Sequence, residues 1–514
     1  MTKAPSRLPP PFPPGGPPPG FTPPPGGGLL RNSLFLALSR GLQILTGFFM
    51  VIALVRYMSV DAYGEFAYLT ALAQAVMTFS YFGIQDVVVR EIARDKSRAP
   101  GHLGAGYVLR LILSLAAGLI IAAVALFSDL TPMARFCLLL AFCAELFRSL
   151  SMLAYASFQA FERMGFEPLL SGLQALLTLV FLGGAIVLNL GMAGVFAAIA
   201  LALGLHFAAT LLIASRRFVR PSFAFSRAEL WELFLAAAVI GVGIILQMNL
   251  MRAGALMLKW LGNVDEVAYF QAAHELVVKI QVFPQALMLA VFPVLARLLA
   301  SREGREEAER LYRLLFRYIL LLGLPVSLLF GVFPRESAVL LFGEKYLPAA
   351  GVLRIVGLAV VPLALDMLLN RTLIAMNRQR YAAGYAAAAL LLAVGLNAVL
   401  IPAYGPEGAA GAALAAYLVL LCSSAWFAAK NGVRPAAWAD LARAFLASGA
   451  AIETAFALSS LGGLSGLSSL VRAAAMLIVY FGVLAALRAF PRRDIQGLKD
   501  ALRRKPPKGK EFAA

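Results

Sequence analysis

Charged residues are scarce in this chain, at 14%, and cysteine and histidine number only three each. Cys137, Cys143 and Cys422 lie in apolar runs without a C-x-x-C pair or a neighbouring histidine, so we expect small core residues rather than disulfides or metal ligands. The sequence also lacks a P-loop or other nucleotide-binding motif, and its hydrophilic loops are too short for an ATPase domain. If the protein moves a substrate across a membrane, the energy must therefore come from an ion gradient or from the gradient of the substrate itself.

Apolar residues are abundant, at 61% of 514. A soluble domain carries about 45–50% even with glycine included, so a soluble globular protein is excluded. The net charge of +18 has no recognisable nucleic-acid-reading element beside it, so no nucleic-acid partner is expected. No outer loop has room for an extracytoplasmic catalytic domain, which disfavours a membrane enzyme, and we expect a protein that is not an enzyme.

Proline marks the start of the chain, because 12 of the 28 prolines lie within residues 1–28. We predict a disordered Pro/Gly-rich cytoplasmic tail over residues 1–30. Beyond it, apolar runs long enough to cross a bilayer follow one another. The predicted spans are 33–55, 66–86, 105–127, 134–156, 169–189, 192–214, 233–257, 270–296, 314–333, 350–374, 381–402, 409–429, 443–461 and 468–489.

The two halves of the chain resemble each other. ALVRYMSVDAYGEFAY follows the first span from Ala53, and ALMLKWLGNVDEVAYF follows the seventh from Ala255. Such a repeat is typical of a transporter made of two bundles, although two membrane hairpins can also match by chance. The predicted division is an N-terminal six-helix bundle over 31–230, a second over 231–430, two additional helices over 431–490 and a basic cytoplasmic tail over 491–514. The predicted fold class is therefore an all-α integral membrane protein with about 14 transmembrane helices.

Basic residues favour the cytoplasmic side of short loops. With the N-terminus inside, 33 of the 45 Lys and Arg residues are cytoplasmic, 7 lie on the other side and 5 lie within spans. This ratio predicts that both termini are cytoplasmic. The inner loop from Arg302 has charged and apolar residues at helical spacing, so we expect an amphipathic surface helix before the ninth span.

Cations inside spans are costly and are candidates for binding a substrate. Arg40 has no acid within one helical turn and is the strongest candidate. Arg148 has Glu145 three residues earlier and Lys279 has Glu275 four residues earlier, so a structural ion pair is an equal interpretation of each. Two further cations, Arg252 and Arg110, lie near span ends, where their side chains can reach the interface. The predicted substrate-binding cations are Arg40, Arg148, Arg252 and Lys279.

Acids inside spans are candidates for coupling transport to H⁺ or Na⁺. Asp366 has no base within one turn, so it is the strongest candidate, with pairing to a cation on another helix as the alternative. The full predicted set is Asp366, Glu275, Glu145 and Asp86. We expect no cofactor and no metal centre.

Short motifs in both halves resemble those of a known family. Tyr63-Gly64 follows the first span, Gly83 to Arg90 forms a Gly-x-x-x-x-x-x-Arg exit from the second, and VFPVLARLL ends the eighth. In these features the chain resembles the polysaccharide flippases of the multidrug/oligosaccharidyl-lipid/polysaccharide exporter superfamily. The resemblance implies a two-bundle carrier in a bacterial inner membrane that moves an undecaprenyl-pyrophosphate-linked oligosaccharide by alternating access.

The expected role is therefore O-antigen, capsule or exopolysaccharide biosynthesis. Expected partners are the lipid-linked oligosaccharide, membrane lipids, and a polysaccharide polymerase and glycosyltransferases. The alternatives are a lipid II flippase, disfavoured because the first span lacks the Arg-Asp step of that branch, a cation-coupled multidrug antiporter, and a membrane-embedded glycosyltransferase or polymerase.

Overall fold

The computed structural model describes most of the chain: residues 46–281 without 162 and 164, several single positions between 284 and 298, and residues 305–375, 380–433, 438–460 and 469–490. This part consists of helices and turns and contains no strand. The helices are α1 (Thr46–Tyr57), α2 (Val60–Tyr81), α3 (Ile84–Arg94), α4 (Ala99–Phe127), α5 (Pro132–Ala160), α6 (Phe166–Val187), α7 (Gly191–Arg217), α8 (Arg227–Leu250), α9 (Ala253–Leu261), α10 (Val264–Ile280), α11 (Arg305–Val332), α12 (Pro334–Phe342), α13 (Ala349–Gly357), α14 (Val360–Ala375), α15 (Arg380–Lys430), α16 (Trp438–Ser460) and α17 (Ser469–Ala486).

These helices confirm the predicted fold class. In the described part, ten helical segments are long and apolar enough to cross a membrane, or eleven if the bent α8 is included as one span. Each of the fourteen predicted spans overlaps a described helix. The chain is therefore a multi-pass, all-helical membrane protein.

Glycines form two of the sharp turns between helices. Gly191 (φ +67°) lies between α6 and α7, where a tight hairpin was predicted. Gly405 (φ +54°) folds α15 back on itself, so that a Cβ on Gly408 would lie 2.1 Å from the carbonyl oxygen of Leu400. Glycine adopts such positive φ values without a steric penalty, and both turns join neighbouring antiparallel segments.

Three spans predicted as single helices are interrupted. The second breaks at Phe82 and Gly83, both with positive φ, and the seventh breaks at Arg252, between α8 and α9. The tenth breaks between α13 and α14, just before Pro362, which has no N–H to continue the helical hydrogen bonds. Hydropathy located these spans but not their breaks, because the average hydropathy of a segment does not show where its backbone leaves the helical conformation.

The inner loop is helical from Arg305 onward, as expected, and it leads into the ninth span. Helix α11 runs without interruption from Arg305 to Val332. No glycine or proline separates its charged first half from the apolar second half, so the helix continues from one into the other.

The two halves meet closely at one end of the molecule through reciprocal caps. The Arg56 guanidinium donates Nε to the carbonyl of Leu341 at 2.9 Å and Nη2 to that of Leu340, at the end of α12. Lys345 donates Nζ to the carbonyls of Arg56, at 3.0 Å, and of Met58, at the end of α1. Each cation thus satisfies carbonyls at the negative end of the other helix.

Helices α2 and α10 cross beside these caps. Both begin at the repeated Val-Asp step, at Val60 and Val264. A Cβ on Gly64 would lie 2.1 Å from the carbonyl oxygen of Val264, so the two backbones are in direct contact. We call the contact formed by Arg56, Gly64, Val264 and Lys345 the outer seam, because the topology prediction places it on the outer face.

The three cysteines are free, as expected, but they are not all core residues. Cys137 is buried, Cys143 is partly buried and Cys422 is exposed. The exposure has a simple cause, because a helix in a bilayer turns apolar side chains outward toward lipid. The prediction that all three lie in the core was therefore wrong for Cys422.

Candidate functional site

Charged and amide side chains from four parts of the fold meet between the halves. They come from α2, from the middle of α5, from the junction of α8 and α9, and from α10. This set, which we call the central cluster, comprises Gln74, Glu145, Arg148, Arg252, Glu275 and Lys279. It contains five of the eight residues predicted as candidate site residues.

The α5 side of the central cluster is built around Glu145. Arg148 Nη1 lies 3.2 Å from Glu145 Oε1, as the three-residue spacing predicted. Gln74 Nε2 donates to the same oxygen at 3.2 Å, and the Tyr81 hydroxyl donates to Oε2 at 3.2 Å. The buried carboxylate is therefore fully engaged, whereas Arg148 retains 38% of its side-chain exposure.

The α10 side of the central cluster contains a second ion pair. Lys279 Nζ lies 3.3 Å from Glu275 Oε2, and Gln271 Nε2 donates to Glu275 Oε1 at 3.1 Å. The Lys279 side chain is 37% exposed. Arg148, on α5, is close enough to Glu275 for an electrostatic interaction, so the two ion pairs are neighbours between the halves.

Arg252 lies at the break between α8 and α9. Its Nε donates to Gln74 Oε1 at 3.1 Å, and its Nη1 donates to the carbonyl of Met248. No described carboxylate oxygen lies within 4.0 Å of this guanidinium, although Glu145 and Glu275 are within electrostatic range. Arg252 is therefore a partly buried cation held by neutral groups and not by an ion pair.

The charges of the central cluster do not cancel. Three cations and two carboxylates leave one positive charge, and Arg252 is the cation without a carboxylate partner. A guanidinium in a partly dry environment is well suited to hold an anion, because it presents several donors in one plane. The arrangement is therefore suited to binding a phosphate or carboxylate group between the two halves.

The other predicted residues lie apart from the central cluster. Arg40 lies outside the described residues. Asp86 is exposed on α3, and its electrostatic neighbour is Arg110. Asp366 lies on α14, within the second half of the chain. The structure thus separates the predicted ion-coupling acids into two in the cluster, Glu145 and Glu275, and two outside it.

Asp366 has an unusual environment. It is 5% exposed, and its Oδ1 has no hydrogen-bond partner among the described residues. The Ser424 and Tyr385 hydroxyls lie near this carboxylate, and Ser424 donates to the carbonyl of Leu421. The Tyr385 hydroxyl and, one turn further along α14, the Asn370 amide oxygen have no partner among the described residues. A buried carboxylate oxygen without a hydrogen-bond partner among the described residues is a candidate for taking up a proton or a small cation.

Sequence reasoning misjudged Arg110 and overlooked Gln74. Arg110 was expected to reach the interface, but it is 1% exposed. The Arg110 guanidinium donates to the carbonyl of Ser149, and its Cζ lies 5.8 Å from the centre of the Tyr81 ring. The hydroxyl of that tyrosine is the group that binds Glu145. Gln74 is a lone amide in an apolar run, and intramembrane amides of this kind commonly bond between helices. That signal could have identified it.

The chain is similar to known proteins in sequence and in fold. A family model described as polysaccharide biosynthesis protein matches residues 29–299. No curated protein matches the chain significantly. The solved structure of the lipid II flippase MurJ in an inward closed conformation has 14% identity and a TM-score of 0.68, covering 90% of this chain and all of that one.

Multidrug transporters also share the fold. An inward-facing MATE transporter of the MOP superfamily has 19% identity and a TM-score of 0.55, covering 76% of this chain and 94% of its own. The MATE transporter VcmN of Vibrio cholerae, in its bent form, has 18% identity and a TM-score of 0.51, covering 78% and 98%.

At these identities the structures establish the fold alone, and their proteins are transporters. The resemblance inferred from the sequence motifs is confirmed. Because the family model spans more than half of the sequence, the chain belongs to the polysaccharide biosynthesis protein family.

Proposed function

We propose that this protein is a flippase that moves an undecaprenyl-pyrophosphate-linked oligosaccharide repeat unit across the bacterial inner membrane. The product would serve O-antigen, capsule or exopolysaccharide synthesis, with a polymerase and glycosyltransferases as partners. The observation that carries the proposal is Arg252, a cation between the two halves that has no carboxylate partner among the described residues. Membership of the polysaccharide biosynthesis family supports the glycan part of the substrate.

The pyrophosphate is the part of such a substrate that the central cluster can bind. Its oxygens would accept hydrogen bonds from Arg252, while Arg148 and Lys279 are exposed enough to contribute further donors. Hydrogen bonds between charged partners are roughly twice as strong as neutral ones. The sugar would then lie between the halves, and the prenyl chain would remain in the bilayer.

Alternating access requires a contact that closes one side while the other opens. The outer seam supplies such a contact, since its caps and its α2–α10 backbone contact hold the halves together at one end. We propose that this state corresponds to a carrier closed toward the outside.

Asp366 is the proposed coupling site. Its buried carboxylate, with Ser424, Tyr385 and Asn370 around it, would take up H⁺ or Na⁺. Because a buried charge without a partner is costly, cation uptake would stabilise one arrangement of the second half over another. A gradient of that ion could then drive the cycle.

A lipid II flippase is the second candidate, favoured by the match to MurJ over the whole of that chain. Its substrate shares the prenyl-pyrophosphate, so the central cluster does not discriminate between the two. The family description favours the polysaccharide precursor.

The test is a flipping assay with purified protein in vesicles. Fluorescently labelled undecaprenyl-pyrophosphate-linked oligosaccharide and labelled lipid II are each supplied, and accessibility to a membrane-impermeant quencher is followed over time. We expect faster flipping of the oligosaccharide carrier than of lipid II. Flipping of neither lipid would contradict the proposal, and selective flipping of lipid II would favour the second candidate.

A further inference from the structure

One side chain, Gln74 on α2, bridges the two halves at the central cluster. Its Nε2 donates to Glu145 Oε1 at 3.2 Å, and its Oε1 accepts from Arg252 Nε at 3.1 Å. The amide therefore stands between the buried carboxylate of α5 and the cation at the break between α8 and α9. Glutamine suits this position because one end donates and the other accepts.

The hydrogen bond from Arg252 to Gln74 leaves the positive charge of Arg252 uncompensated. An amide fixes the guanidinium without neutralising it, and the bond from Nη1 to the Met248 carbonyl restrains a second nitrogen. Nη2 makes no hydrogen bond within the described part of the chain and remains available. The guanidinium is thus oriented and still carries its full charge.

Glu145 would otherwise compete for Arg252. It is already within electrostatic range of that cation, and an arginine–carboxylate pair forms strong, often bidentate hydrogen bonds. If the amide were absent, the Arg252 side chain could rotate toward Glu145, and the central cluster would lose its one uncompensated cation. Burial of Glu145 would strengthen that pair, because few water molecules screen it.

We propose that Gln74 is a positioning residue that keeps Arg252 apart from Glu145 and so preserves the anion-binding charge of the central cluster. This inference rests on the proposed function, since it assigns a role in binding the pyrophosphate. A glutamate at position 74 would repel Glu145 and pair with Arg252, and a leucine would make neither bond. Both changes would therefore weaken anion binding.

The experiment is a double-mutant cycle read by binding of farnesyl diphosphate, which carries the pyrophosphate on a short prenyl chain. Affinities are measured by calorimetry on full-length protein in nanodiscs of uncharged lipid. The variants are Gln74→Leu, Arg252→Gln and the two combined. The matched control is Gln85→Leu, because Gln85 also bonds an α5 side chain, at 3.4 Å from Gln159, but does not contact Arg252.

We expect Gln74→Leu and Arg252→Gln each to weaken binding by about 10- to 150-fold, the effect of one hydrogen bond to a charged group. The combined variant should be no weaker than Arg252→Gln, and Gln85→Leu should bind like the wild type. Adding Glu145→Gln to Gln74→Leu should restore affinity, because the competing carboxylate is gone. A purely structural loss would not be restored in this way. Equal elution volumes and helical circular dichroism establish that each variant is folded.

The outcomes distinguish a failure of the proposed anion site from a failure of the positioning role of Gln74. Wild-type affinity in Arg252→Gln would overturn the anion site of the proposed function and this inference with it. A loss in Arg252→Gln that grows by a further tenfold on adding Gln74→Leu, or a failure of Glu145→Gln to restore binding, would overturn only the positioning role of Gln74.

Discussion

Gly64→Ala is expected to open the outer seam. The added Cβ would lie 2.1 Å from the carbonyl oxygen of Val264 and 2.8 Å from its Cγ1. Ordinary contact begins near 3.4 Å, so the carbonyl must retreat by 1.3 Å. Because the opposing atom belongs to the backbone, no change of rotamer relieves the clash, and α2 must move away from α10.

The energetic consequence follows from the cost of overpacking a tight contact, about 1–3 kcal/mol. This cost falls only on the state in which the outer seam is closed. A difference of that size changes the ratio of two conformations by about 5- to 150-fold. The variant should therefore populate a state in which the outer ends of the halves are separated.

Double electron–electron resonance between two spin labels measures that separation. The labels are attached at Asp61→Cys on α2 and Glu344→Cys beyond α12, both exposed and on opposite sides of the seam, in a variant lacking the native cysteines. Gly64→Ala should add a longer-distance population. The control is Gly395→Ala, whose Cβ meets nothing within 4 Å. Identical distance distributions in Gly64→Ala and the control would refute the assignment of the seam as a closing contact.

Three other changes test separate parts of the account. Lys345→Met removes the cap on α1 and, because the site is exposed, should weaken the outer seam by about 1 kcal/mol. The same spin labels should show a smaller change in distance than in Gly64→Ala, and an unchanged distance would show that the cap contributes nothing. Asp366→Asn should abolish acceleration of flipping by an imposed H⁺ or Na⁺ gradient, and undiminished acceleration would argue against that coupling site. Gly408→Ala places a Cβ 2.1 Å from the Leu400 carbonyl and should lower stability by about 1–3 kcal/mol; a melting temperature equal to that of Gly395→Ala would contradict this.

Local patterns in the sequence predicted much of the fold. Apolar runs located the spans, a tight hairpin was predicted at Gly191, and the three- and four-residue spacings predicted the two ion pairs of Glu145 and Glu275. These features depend on residues close together in the chain. The helix breaks at Gly83 and Arg252 were missed, because the hydropathy of a segment does not depend on whether its helix is continuous.

The contacts between distant parts of the central cluster could not be predicted from the sequence, for a different reason. Gln74 and Arg252 are 178 positions apart, and their contact depends on how α2 packs against the α8–α9 junction. Arg110 shows the same limit, since a helix that is apolar all round does not indicate which face is turned inward. Prediction from spacing therefore located the candidate charges but not their partners.

The most direct test of the central claim is the initial rate at which Arg252→Gln flips the labelled undecaprenyl-pyrophosphate-linked oligosaccharide in vesicles. Loss of one hydrogen bond to a charged group, about 1.5–3 kcal/mol, should lower the rate at limiting substrate about 10- to 150-fold. Arg354→Gln, which removes an exposed cation on α13 away from the central cluster, should flip at the wild-type rate. Equal rates for Arg252→Gln and Arg354→Gln would contradict the claim that the cation held by Gln74 binds the substrate.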